Sequence, residues 1–116
     1  MVNLLKNIEK LQSTIPDHVE IVLATKYATL TDIGTISSAF PNIIFGENRV
    51  QHGEEKQLAY PDISNPWHFI GHLQRNKVKK VIKQYSLIHS VDSVRLIEEI
   101  NNASQKLNRV SSILLQ

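Results

Sequence analysis

The chain has 116 residues, 41% of them hydrophobic and 21% charged, with a formal net charge of +2; this suits one domain over residues 1–116, and the charge is too mild to argue for nucleic acid by itself. There is no cysteine, which excludes a disulfide framework and a thiolate metal site. No apolar run approaches the roughly 20 residues that cross a bilayer, and Met1-Val2-Asn3-Leu4-Leu5-Lys6 becomes charged too early for a secretory signal, so the expected location is the cytoplasm.

Leu4, Leu5, Ile8 and Leu11 recur at helical spacing, and Pro16 ends that run. Ile21-Val22-Leu23-Ala24 is short and apolar throughout, as in strands buried on both faces of a parallel sheet. A helix follows over Leu30, Ile33 and Phe40, opened by Thr29 or Thr31 as N-cap, with Thr29 and Asp32 spaced as a capping box. The next apolar run is Ile43-Ile44-Phe45, followed by a weaker helical pattern at Val50 and Leu58 with Gly53 inside it. Trp67-His68-Phe69-Ile70 predicts a third strand, and Val78, Val81, Ile82 and Tyr85 mark the helix after it. Leu87-Ile88-His89 predicts a fourth strand. Ile97, Ile100, Ala103 and Leu107 mark the last helix, capped by Asp92 or Ser93. Val110 to Leu115 predicts a fifth strand.

These runs start at residues 21, 43, 67, 87 and 110, and each gap is long enough for a helical crossover between parallel strands. The class is therefore α/β. Two architectures fit. One is a partial (β/α)₈ barrel, about five of its eight strands being present. The other is a complete five-stranded doubly wound sheet of the flavodoxin type. Period and length leave both open.

Ligands in both architectures bind at the carboxyl ends of the strands. Strand one ends in Thr25-Lys26-Tyr27. Lys26 follows four apolar residues, and low-dielectric surroundings favour the neutral amine, the nucleophile that condenses with an aldehyde. Its structural alternative is an ion pair with a carboxylate such as Glu47. Asn48, after strand two, suits either an amide contact to a ring or phosphate, or a cap on the next helix. His68 and His72 share one face of strand three with Ile70; a metal would need further ligands aimed at one point, and packed core histidines are the simpler reading. The stretch 75–83 holds Arg75, Lys77, Lys79, Lys80 and Lys83 without an acid. It reads as a nucleic-acid stripe or, more simply, as the solvated face of an amphipathic helix.

Four segments carry a resemblance. They are Leu23-Ala24-Thr25-Lys26-Tyr27, Phe45-Gly46-Glu47-Asn48-Arg49, Trp67-His68-Phe69-Ile70-Gly71-His72-Leu73-Gln74 with Asn76-Lys77, and Ile88-His89-Ser90-Val91-Asp92-Ser93. In order and spacing they resemble the motifs of the pyridoxal phosphate homeostasis proteins, also called the YggS-like or proline synthetase co-transcribed homologue family. The resemblance implies a barrel of the alanine racemase N-terminal type and pyridoxal 5'-phosphate (PLP) held as a Schiff base on Lys26. It places Asn48 and His68 on the cofactor side. It also implies cofactor homeostasis inside the cell without an assigned catalytic reaction.

The sequence departs from the family's pattern in two ways. Many relatives have a second lysine where this chain has Ala28. Relatives are also roughly twice as long, and a barrel phosphate site uses loops after strands seven and eight, which this chain does not reach. The alternative functions are a racemase-like PLP enzyme, which needs an acid/base partner not assignable here, and nucleic-acid binding through 75–83. A barrel cut after five strands would leave two open edges and the inner-face residues Val22 and Ala24 uncovered. Several hundred Å² of such apolar surface costs about 10 kcal/mol, which predicts self-association of the 116-residue chain.

Overall fold

The computed structural model describes residues 2–116. Five parallel strands form one sheet: β1 (Val22–Ala24), β2 (Ile44–Glu47), β3 (Trp67–Phe69), β4 (Leu87–Val91) and β5 (Ile113–Leu115). The helices are α1 (Val2–Thr14), α2 (Leu30–Ala39), α3 (Val50–Ala59), α4 (Val78–Gln84), which a 3-10 turn at Arg75–Lys77 introduces, and α5 (Val94–Lys106).

The strand order is β1-β2-β3-β4-β5. Each strand pairs with the next in the chain, so the winding never reverses. A doubly wound sheet reverses, and therefore carries helices on both faces. Right-handed crossovers in an unreversed sheet put every helix on one face. The flavodoxin-type alternative is thereby excluded, and the molecule is an open section of a β/α barrel. Its radius of gyration is 14.9 Å, above the about 13 Å of a compact domain near this length, as a sheet covered on one side requires.

The core lies between the sheet and its helices. Phe45, Trp67, Phe69 and Ile88 meet Ile33 and Ile36 of α2, Val81 and Ile82 of α4, and Leu96 and Ile100 of α5. Phe45 and Trp67 pack with ring centroids 5.0 Å apart, and Phe69 meets Tyr85 edge-on at 5.3 Å. The opposite face is largely bare, with Val22 38% and Leu114 48% exposed.

Local chemistry sets the helix ends. Thr29 caps α2 and Asp32 returns a bond to the Thr29 amide, completing the capping box. Ser93, not Asp92, caps α5 through the Leu96 amide. Asn108 ends α5 in the left-handed region at φ 52°. There the amides of Asn108 and Arg109 bond the carbonyls of Gln105 and Ser104, a Schellman closure. This turn also shifts the last strand: β5 begins at Ile113, and Val110, expected to open it, is 99% exposed.

Candidate functional site

The strand register arranges the rim. Ala24, Gly46 and His68 are paired across β1, β2 and β3, so they form one row of the open face. Lys26 and Asn48 come two residues later, just past the ends of the neighbouring strands β1 and β2, nearer the carboxyl rim. His68 therefore sits a layer below Lys26 and Asn48, two residues being about 6.6 Å along a strand. Lys26 and Asn48 are brought to one edge of the sheet, and His68 is set deeper.

Lys26 occupies the turn closed by the Ala28 amide bonding the Thr25 carbonyl at 3.0 Å. It is exposed, and its ammonium lies 5.3 Å from the Tyr27 ring centroid. The low-dielectric setting expected from the preceding apolar run is not built by these residues, because the open side of β1 itself faces solvent. Nor does Lys26 pair with Glu47. Among the described residues the ion-pair partner of Glu47 is Lys56, at 2.7 Å.

That pair is buried. Glu47 is fully enclosed and Lys56 nearly so. Alternation along β2 turns Glu47 toward the helices, and Gly53 and Lys56, one turn apart on α3, form its buried stripe. One Glu47 oxygen accepts from the Lys56 ammonium and the Thr25 hydroxyl; the other accepts from the Asn48 and Arg49 amides. Lys56 also donates to the Thr25 carbonyl at 2.7 Å. The Tyr85 hydroxyl lies beside this carboxylate, buried and without a hydrogen-bond partner among the described residues. Burial, followed by the negative charges of Glu47 and Glu54, pushes the Tyr85 phenol well above its usual range. Gly53 makes room for it, because a methyl there would overlap the Tyr85 hydroxyl and stand 2.9 Å from Glu47 Cγ.

Asn48 does not cap α3; the N-cap is Arg49, whose side chain makes no capping bond. Asn48 lines a cleft of about 340 Å³ together with Arg49, His52, Phe69, His72 and Lys77. His72, expected to share the strand face with His68, lies beyond the end of β3 and is exposed. His68 is half-buried and meets His89 of β4, Nδ1 to Nε2, at 2.9 Å. Burial, and then the charge of His89, holds the His68 imidazole below its ordinary pKa. No group of three or more histidine or carboxylate side chains is placed to hold a metal among the described residues. On α4, Val78, Val81 and Ile82 are buried. Lys79 and Lys83 are exposed, and Lys80 pairs with Glu54 at 2.7 Å; that contact lowers the Glu54 carboxyl pKa.

The sequence pointed to Lys26, Asn48 and His68 as candidates, but not to the Glu47–Lys56–Thr25 network or the His68–His89 pair. The signal for the first was a lysine one turn after Gly53 on the inner stripe of a weakly apolar helix. The second depends on register between strands 21 residues apart, which periodicity does not encode.

The fold and rim define a class: an open β/α barrel section with a lysine in the turn after its first strand. No family model matches the chain. It is 36% identical to the pyridoxal phosphate homeostasis protein of Synechocystis over 107 residues, covering 90% of this chain and 48% of that protein. It is 44% identical over 73 residues to the pyridoxal phosphate homeostasis protein of Aquifex aeolicus, covering 63% of this chain and 32% of the relative. PipY of Synechococcus elongatus, solved with PLP bound, superposes with a TM-score of 0.88 at 32% identity, covering 94% of this chain and 51% of that one. The same protein solved without PLP superposes at 0.87. The chain spans about half the length, or less, of these relatives. The family that the four motifs resemble is the family that the comparisons find. No helix among the described residues is long and apolar enough to cross a membrane.

Proposed function

We propose that this chain is the N-terminal part of a PLP-binding protein of intracellular cofactor homeostasis, acting in the cytoplasm, with Lys26 as the residue that holds the cofactor. The observation that carries the reading is Lys26 itself: an exposed primary amine with no ion pair among the described residues, at the carboxyl rim of a sheet whose 32%-identical neighbour was solved with PLP. The residues fit the cofactor's aldehyde end. PLP supplies an aldehyde for covalent attachment and an electron-withdrawing ring. The chain supplies the amine of Lys26, and Asn48, just past the end of the next strand, offers an amide to a ring or phosphate oxygen. His68 lies a layer lower and lines the floor, its imidazole turned to His89.

This reading describes a carrier and not an enzyme. A racemase needs an acid/base group free to reach substrate across the cofactor, and this reading assigns none among the described residues. Borohydride reduction in the presence of PLP should fix the cofactor's mass on the Lys26 peptide. Mass on Lys56 or Lys77 instead would overturn the assignment. Lys26→Ala should abolish the visible absorption band and leave the fold intact, since the residue is exposed.

A further inference from the structure

The two rim residues assigned to the cofactor, Lys26 and Asn48, are held by one buried carboxylate. Glu47 Oε2 accepts from the Thr25 hydroxyl at 3.0 Å and from the Lys56 ammonium at 2.7 Å, and Oε1 accepts from the Asn48 amide at 3.1 Å. The Lys56 ammonium then reaches the Thr25 carbonyl at 2.7 Å, the same carbonyl that closes the Lys26 turn through the Ala28 amide at 3.0 Å. The strand ends of β1 and β2 are thus tied to α3 at the residues immediately before Lys26 and Asn48.

A buried ion pair is a poor device for stability alone, since an apolar pair of similar volume often serves as well or better. It is a good device for fixing orientation, because a charged donor shared between a carbonyl and a carboxylate tolerates little displacement. Resting on the assignment of Lys26 above, we propose that Glu47 and Lys56 are positioning residues: they set the turn that presents the Lys26 amine to the cofactor's aldehyde and hold Asn48 in step with it.

The test compares the parent chain with Glu47→Gln/Lys56→Met, which removes both charges and leaves neither unpaired. Two readouts are taken on the 116-residue chain as it assembles. The first is amide hydrogen exchange at Ala28, which needs no cofactor. The second is borohydride trapping with PLP, scored as labelling of Lys26 relative to the exposed Lys79. In the double variant, Ala28 exchange should accelerate at least tenfold and the Lys26 preference should fall at least tenfold, with the circular dichroism spectrum unchanged. An unchanged Ala28 exchange rate, or a retained Lys26 preference, overturns the positioning role. A parent chain that shows no preference for Lys26 overturns the cofactor assignment instead, and Ala28 exchange still decides whether the clamp orders the turn. If the double variant does not fold, Thr25→Val, which deletes the hydroxyl shared between Glu47 Oε2 and the Gly46 carbonyl and leaves both charges paired, takes its place with the same readouts and the same directions.

Discussion

Gly71→Ala tests how tightly the loop after β3 is pressed onto the Asn48 rim. A methyl built on Gly71 would overlap the Asn48 carbonyl oxygen and stand 2.6 Å from Asn48 Cα and 2.7 Å from its carbonyl carbon. Ordinary contact begins at 3.4 Å, so the two backbones must part by at least about 0.8 Å, and by more at the carbonyl oxygen, an overpacking that costs about 1–3 kcal/mol. The neighbours are main chain and have no rotamer to change. The Ile70 amide bonds the Glu47 carbonyl at 2.8 Å one residue away; stretching it beyond hydrogen-bond range adds about 1 kcal/mol. The Ser90 hydroxyl bond to the Gly71 carbonyl would be disturbed as well. The expected loss is therefore about 2–4 kcal/mol, a urea midpoint lower by roughly 1–2 M at an m of about 2 kcal/mol/M, read at one fixed protein concentration because assembly contributes to apparent stability. Gly34→Ala is the control. Its methyl would meet only the end of the Tyr60 ring, at 2.7–2.9 Å, which can swing aside. Removing a helical glycine returns about 0.5–1 kcal/mol, so the net change should be near zero. Gly71→Ala within about 0.5 kcal/mol of the parent would refute the close-approach argument.

Other outcomes follow from the same geometry. Because the folded pKa of His68 is depressed, the unfolded chain takes up that proton first as pH falls, so stability present above about pH 6.5 should be lost below it; the fall in urea midpoint between about pH 7.5 and 5.5 should shrink in His68→Asn, and an unchanged fall would contradict it. Lys79→Glu with Lys80→Glu should leave PLP labelling of Lys26 unchanged and alter stability little, since the Lys80–Glu54 pair is on the surface. RNA binding with a steep salt slope, lost in that double variant, would show that the basic helix has a second role. The unpaired edges of β1 and β5, with Leu115 74% exposed, should make the 116-residue chain sediment as a dimer or larger assembly. A cooperative, monodisperse monomer that binds PLP tightly would refute this.

The alternation of apolar runs with helical stripes was enough to establish five strands, five helices and the α/β class, because burial in a parallel sheet imposes a local pattern on each element. It was also enough to place Lys26 and Asn48 at strand ends, since a strand's end is legible where its apolar run stops. Strand order was not legible: the same five units wind singly or doubly, and only pairing between segments that are distant in the chain separates the two. The partner of Glu47 was hidden for the same reason. Strand alternation shows that its carboxylate turns toward the helices, but whether Lys26 or Lys56 meets it depends on how α3 docks. Lys26 was expected in apolar surroundings because its neighbours in sequence are apolar. The fold turns the open side of that strand to solvent and uses the buried lysine, Lys56, to hold the exposed one in place, an arrangement that exists only once β1, β2 and α3 have packed together.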